Sequence, residues 1–134
     1  MSELKDVARA MVAPHKGILA ADESGPTIKK RFDSIKVEST EESRRAYREL
    51  LFTTPGVEEF VSGVILYDET IRQKAADGTP FPKLLERRGI LPGIKVDKGT
   101  KAIPFAKLEK ITEGLDGLRE RIGEYRGLGA RFAK

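Results

Sequence analysis

Four short apolar segments, each opening on a glycine and ending in or beside a charge, constrain the fold of this chain more than any other feature. They are Gly17-Ile18-Leu19-Ala20-Ala21-Asp22, Gly63-Val64-Ile65-Leu66-Tyr67-Asp68-Glu69, Gly93-Ile94-Lys95-Val96-Asp97-Lys98 and Gly129-Ala130-Arg131-Phe132-Ala133-Lys134. Each is short enough for a buried strand, and helical patterns lie between them. Strands alternating with helices imply β-α units, parallel pairing and right-handed crossovers. In such sheets the active site lies at the carboxyl ends of the strands. A charge at that end of every segment suits a site for a polar substrate, and it equally suits plain solvation of strand ends.

The helical patterns are readable in turn. The first spans 2–12, with Leu4, Val7, Ala8, Met11 and Val12 on one face and Pro14 as its stop. A second starts at Pro26, whose fixed φ suits a first helical turn. A third is announced by Ser39 and Glu42 as a capping box, with Ala46, Tyr47, Leu50 and Leu51 as its apolar stripe. Thr53-Thr54-Pro55-Gly56 breaks it. Asp77-Gly78 reads as a turn, followed by a short helix over 82–88 closed by Gly89. The last helix covers 115–126, with Leu115, Leu118, Ile122 and Tyr125 on one face. Residues 98–113 read as a Lys-rich loop with a helical turn.

Strand parity brings the charges together. Ile94 and Val96 share one face of the third segment, while Lys95 and Asp97 share the other. The same parity groups Ile18, Ala20 and Asp22, and likewise Ala130, Phe132 and Lys134. A lysine within a covered parallel strand is costly unless it pairs or binds an anion. An inward aspartate near two inward lysines can hold a phosphate and move protons to and from hydroxyls. A structural ion pair between strands explains the same residues. After Asp22, Glu23-Ser24-Gly25-Pro26-Thr27 leads into a helix whose N-terminus can receive an anion, although an ordinary N-cap accounts for Ser24 as well.

Composition closes several alternatives. The 134 residues contain no cysteine and one histidine, His15, so thiolate and imidazole metal sites are not expected. His15 reads as a surface loop residue. The net charge of +4 suggests an anionic partner, but the basic residues are interspersed with carboxylates and not with aromatics, so nucleic-acid binding is not expected. No apolar run suits a membrane span and no signal-peptide pattern opens the chain, so a cytoplasmic protein without a membrane partner is expected.

In this order, the segments resemble class I fructose-bisphosphate aldolases. The matching stretches are Gly17-Ile18-Leu19-Ala20-Ala21-Asp22-Glu23-Ser24, Gly63-Val64-Ile65-Leu66, Gly93-Ile94-Lys95-Val96-Asp97-Lys98-Gly99, Gly114-Leu115-Asp116-Gly117-Leu118 and the terminal Gly129 to Lys134 run. Leu50-Leu51-Phe52-Thr53-Thr54-Pro55-Gly56 is similar to plant and bacterial members. The resemblance implies an α/β fold, the N-terminal part of a TIM (β/α)8 barrel with about four βα units and a leading helix. Residues 1–134 are then one domain, cut at the fourth strand and exposing sheet edges prone to pairing.

The family cleaves fructose 1,6-bisphosphate reversibly into dihydroxyacetone phosphate and glyceraldehyde 3-phosphate through a lysine imine, with no metal or other cofactor. By resemblance, Asp22 handles protons around the substrate hydroxyls and Lys134 assists proton transfer. Lys95, Ser24 and Thr27 match one phosphate site, and Arg31 and Arg44 match arginines of the phosphate region. The imine-forming lysine belongs to a later strand, so the isolated chain is expected to be inactive, while the complete parent is expected to be a homotetramer. The alternative is a non-catalytic phospho-sugar-binding or interaction module. Three departures stand out. Gly25-Pro26-Thr27 replaces a Ser/Thr-Gly-Ser/Thr run and lacks one backbone donor, His15 stands where glycine is expected, and residues 100–111 are Lys-rich where relatives have a more Gly-rich polar loop. Lys36 and Ser43 also differ from relatives, an exchange read as neutral.

Overall fold

A computed structural model describes residues 2–134. In chain order the elements are α1 (Ser2–Met11), β1 (Gly17–Ala21), α2 (Gly25–Ser34), α3 (Glu41–Thr53), α4 (Val57–Phe60), β2 (Val61–Leu66) and α5 (Asp68–Arg72). Then follow α6 (Phe81–Arg87), β3 (Leu91–Ile94), β4 (Thr100–Ala102), β5 (Lys110–Thr112), α7 (Leu118–Gly127) and β6 (Phe132–Ala133). Strands β1, β2, β3 and β6 form a parallel sheet in that order. β1 and β6 are its edges. β4 and β5 form a separate antiparallel pair.

The four apolar segments are therefore the four parallel strands, with shifted bounds. β3 begins at Leu91 and runs through Pro92, earlier than the glycine-led reading. The Pro92 carbonyl accepts the Arg131 N–H at 2.8 Å, so this position lacks one donor without losing its pairing. β2 ends at Leu66, and Asp68 and Glu69 open α5 instead of closing the strand. The loop expected over 98–113 contains the β4–β5 hairpin, with Thr100 opposite Thr112. Three-residue strands with every side chain exposed carry no alternation for a sequence to display.

One face of the parallel sheet is covered by helices. Ala21, Val64, Leu66 and Ile94 are buried there with Phe52 of α3 and Phe81 and Leu85 of α6. The Phe52 and Phe81 rings meet edge to face, centroids 5.2 Å apart. α3 corrects the sequence reading twice. Its capping box joins Thr40 and Ser43, not Ser39 and Glu42. Its fully buried side chains are Arg48 and Phe52; of the expected stripe, Tyr47 and Leu51 are half-buried, whereas Leu50 is 65% exposed. The expected apolar stripe of α1 is only partly used, since Val7 and Met11 are half-buried and Leu4 and Val12 stay exposed. Ser62 fastens the end of this helix by donating to the Met11 carbonyl at 2.7 Å. α7 begins at Leu118, after Gly117 at φ 64°, which leaves Leu115 outside the helix and exposed.

Two departures from the family pattern acquire a physical cost. His15 has φ 62° and Lys36 has φ 57°, the left-handed region in which a Cβ crowds the backbone. The Lys36 exchange is therefore not neutral. Glycine at either position should relieve about 1–2 kcal/mol of local strain, against about 0.5–1 kcal/mol of extra chain entropy lost on folding. His15→Gly and Lys36→Gly are each expected to raise the unfolding free energy by roughly 0.5–1 kcal/mol net, read as a higher urea midpoint. A lowered midpoint in urea titration contradicts the assignment of strain.

Candidate active site

The register of the sheet decides which side chains meet. Ile18 lies beside Gly63, Ile65 beside Gly93 and Gly93 beside Phe132, so these residues share the face opposite the helix-packed core. Two residues beyond Gly93 and Phe132, and four beyond Ile18, the same face carries Lys95, Lys134 and Asp22 at the carboxyl ends of the strands. The ladder continues this far, because the Lys95 N–H reaches the Leu66 carbonyl at 2.9 Å and the Val96 N–H reaches the Lys134 carbonyl at 3.0 Å.

Lys134 Nζ donates to Asp22 Oδ2 at 2.7 Å, across the full width of the sheet. Asp22 is buried, with its side chain 8% exposed, while Lys134 is half-exposed. Asp22 holds the Lys134 ammonium above the ordinary lysine range, against the opposing effect of partial burial. Lys95 is paired with Asp97 two residues along its own strand. Asp97 also accepts the Gly99 N–H at 3.0 Å. The hydrogen bond from Lys95 lowers the Asp97 carboxyl below the ordinary aspartate range, although burial opposes it. The expected single cluster is thus two adjacent ion pairs, Asp22 with Lys134 and Lys95 with Asp97.

These shifts predict a pH profile. Lys134 has its folded pKa raised, so its contribution to stability is whole below the unfolded lysine value of about 10.4 and is lost as pH rises through the folded value. Asp97 has its folded pKa depressed, so its contribution is present above about pH 3.9 and is lost as pH falls through the folded value. Asp22→Asn should flatten the alkaline decline of the unfolding free energy, and Lys95→Met the acid decline. Both groups are partly solvated, so the expected change is one of slope. Unaltered slopes in both variants contradict the pairing.

Ser24 caps α2 by backbone geometry, but its hydroxyl makes no capping hydrogen bond. Instead its Oγ lies 3.3 Å from Thr27 Oγ1. Pro26 occupies the first turn. Ser24 and Lys95 line one polar cavity of about 570 Å³, together with Tyr67, Asp68, Lys98 and Arg121. Arg31 donates to Glu23 at 2.7 Å. Arg44 staples α3 to α5 through Glu69 at 2.8 and 2.6 Å and bonds the Ser39 carbonyl. His15 is exposed in the loop before β1.

Several contributors escaped the sequence reading. Arg121 of α7 donates to the Val96 and Gly114 carbonyls, pinning the strand end that carries Lys95 and Asp97. At Gly114 (φ 133°) a Cβ would lie 2.9 Å from the Val96 carbonyl, so this close approach requires glycine. Tyr125 donates to Asp68 at 2.9 Å, joining α7 to α5. Arg48 is buried beside Glu23. The one available signal for Arg48 was its place four residues before Phe52 on the buried side of α3. Among the described residues, no group of three or more His, Cys, Asp or Glu is placed to hold a metal ion, and no helix is long and apolar enough to cross a membrane.

The sequence model of the family described as fructose-bisphosphate aldolase class-I matches residues 3–134. A probable fructose-bisphosphate aldolase class 1 of Xanthomonas campestris pv. campestris is 59% identical over the whole chain, which covers 40% of that protein. Fructose-bisphosphate aldolase 1 of Toxoplasma gondii is 58% identical over 98% of the chain, covering 36% of its own length. The chain therefore spans about two fifths of the length of these curated relatives. A solved structure of the Plasmodium falciparum fructose-bisphosphate aldolase, in complex with TRAP and a small-molecule inhibitor, superposes with a TM-score of 0.95 at 56% identity. That match covers 98% of this chain and 38% of the neighbour. The four parallel strands and their helices are accordingly part of a (β/α)8 barrel. With residues 3–134 matched and identities near three fifths throughout, the chain belongs to the class I fructose-bisphosphate aldolase family.

Proposed function

We propose that this chain supplies one side of a fructose 1,6-bisphosphate aldolase active site. The observation that carries the reading is the Lys134–Asp22 pair at 2.7 Å beside Lys95, at the carboxyl ends of β1, β3 and β6. A buried carboxylate hydrogen-bonded to a half-exposed ammonium can exchange protons with substrate hydroxyls. Asp22 and Lys134 are the catalytic pair in this reading. Lys95, Ser24 and Thr27 receive one phosphate, supported by the shared cavity of Ser24 and Lys95 and by the facing hydroxyls of Ser24 and Thr27. Arg31 and Arg44 belong to the phosphate region in this reading, Arg31 held by Glu23 and Arg44 by Glu69. The imine-forming lysine belongs, in the family pattern, to a later strand of the barrel. Reversible cleavage to dihydroxyacetone phosphate and glyceraldehyde 3-phosphate, a homotetrameric state and a cytoplasmic location belong to the complete protein under the same reading.

Two measurements on the purified 134-residue chain test this. Saturable binding of fructose 1,6-bisphosphate, abolished by Lys95→Ala, is expected, with no cleavage in a coupled assay. Borohydride trapping of substrate on Lys134 or Lys95, accompanied by turnover, overturns the division of roles. Absence of binding overturns the assignment of the phosphate residues.

A further inference from the structure

Arg48 is the most deeply buried charged residue in the described structure, with its side chain 3% exposed. It projects from the middle of α3 to the end of β1. Nη2 lies 3.1 Å from Glu23 Oε2 and donates to the Glu23 carbonyl at 3.2 Å. Its guanidinium carbon also stands 5.4 Å from the Tyr47 ring centroid. Among the described residues, Nε and Nη1 have no hydrogen-bond partner. Burial lowers the affinity of this guanidinium for its proton, and the Glu23 carboxylate opposes that loss. Leaving two buried donors unpaired is costly, and an apolar side chain of equal volume would avoid the cost. A requirement other than core packing is needed to explain an arginine here.

Glu23 supplies that requirement. Its side chain is itself 8% exposed, and its other oxygen, Oε1, meets Arg31 Nη1 at 2.7 Å. Arg31 is 59% exposed at the side-chain level. The three residues form a chain of contacts from the interior to the surface, Arg48 to Glu23 to Arg31, directly behind Asp22. A long exposed arginine on its own samples many rotamers and loses them when it binds an anion. A buried, ionised carboxylate fixes that arginine in advance, provided something holds the carboxylate down.

We propose that Arg48 is a positioning residue that anchors the Glu23 side chain beneath the end of β1 and thereby preorganises Arg31 for an anionic group of the substrate. The inference rests on the phosphate role assigned to Arg31 above. Without Arg48, the buried carboxylate lacks its inner countercharge and swings to solvent, releasing Arg31.

The test reads Arg31 directly, with no ligand present. Side-chain ¹⁵N relaxation of the Arg31 Nε group in the 134-residue chain should report an ordered group in the wild type. In Arg48→Met the order parameter should fall below about 0.6, the flexible range. Arg48→Lys, which keeps the charge, should restore part of the order. A drop in thermal stability with Arg31 unchanged or more ordered means that Arg48 is only structural, and overturns the proposal. Should Arg48→Met fail to fold, Arg48→Gln, which keeps a donor for the Glu23 carbonyl but not the charge, is read by the same two outcomes. Titration with fructose 1,6-bisphosphate separates this idea from the reading beneath it. Arg48→Met and Arg31→Ala should each weaken binding by roughly tenfold, about the worth of one charge-assisted hydrogen bond. The double variant should be no weaker than Arg31→Ala. A wild-type chain that binds no bisphosphate overturns the role of Arg31, while the Arg31 relaxation still decides whether Arg48 positions it.

Discussion

Replacing Phe81 by alanine is expected to lower the unfolding free energy of this chain by about 3–5 kcal/mol. Phe81 is fully buried, its ring stands against Phe52 at 86°, and both belong to the core that joins α3 and α6 to the sheet. Truncation removes apolar area where α3 and α6 meet the sheet, and the strands behind it limit collapse into the void. Total stabilities of single domains are of order 5–15 kcal/mol, so this one change should remove a large share of the chain's stability. Urea denaturation followed by far-ultraviolet dichroism measures it. Phe81→Leu, which keeps most of the volume, should cost less than half as much. A loss below about 1 kcal/mol for the alanine variant would mean that α6 is not seated on the sheet as described.

The second large effect is one of excess volume. Gly93 lies beneath the Phe132 ring on the site-facing side of the sheet, and a Cβ there would come within 2.6 Å of Phe132 Cε1. Gly63, on the neighbouring strand, faces the same ring at 3.0 Å. The ring can escape only by tilting away from strand β3, to which β6 is paired through Gly93–Phe132 and Ile94–Ala133. Gly93→Ala is expected to destabilise by about 1–3 kcal/mol, the usual cost of overpacking. It should also shift Lys134, two residues beyond Phe132, and so weaken its pairing with Asp22. The control is Phe132→Ala, which vacates the space. The double variant should then be more stable than the sum of the two single losses predicts, a coupling of 0.5 kcal/mol or more. Strict additivity would show that the ring does not rest on Gly93.

These two effects differ in how far they could be foreseen. The glycine-led apolar segments announced four parallel strands, and alternation set Lys95 with Asp97 on one face of its strand and gave Asp22 and Lys134 their face-mates within their own strands. Both readings depend only on local geometry, with a period of two residues along each strand. The packing of Phe132 over Gly63 and Gly93 depends on the register between strands that are distant in sequence. Nothing in one segment reports that register. The same limit explains α3, where two of the four apolar residues of the expected stripe are half-buried while Arg48 and Phe52 take the most buried positions. The partner of Arg48 is Glu23, supplied by a segment 25 residues away.

The hairpin of β4 and β5 and the strain at His15 and Lys36, positions marked in the sequence only as departures from relatives, were illegible for a different reason. Short exposed strands display no burial pattern, and a positive φ on a non-glycine residue leaves no compositional mark.

The opening feature therefore divides cleanly. By itself the sequence determined the strand-forming segments, their parallel β-α arrangement and the face on which their charges lie, because alternation and turn chemistry act over a few residues. Only the tertiary structure decided which charges pair. It joined Asp22 to Lys134 across the sheet, kept Lys95 with Asp97, and set Arg48 beneath Glu23. Pairing is chosen by inter-strand register and by the cost of burying an uncompensated charge, and both exist only once the chain has folded.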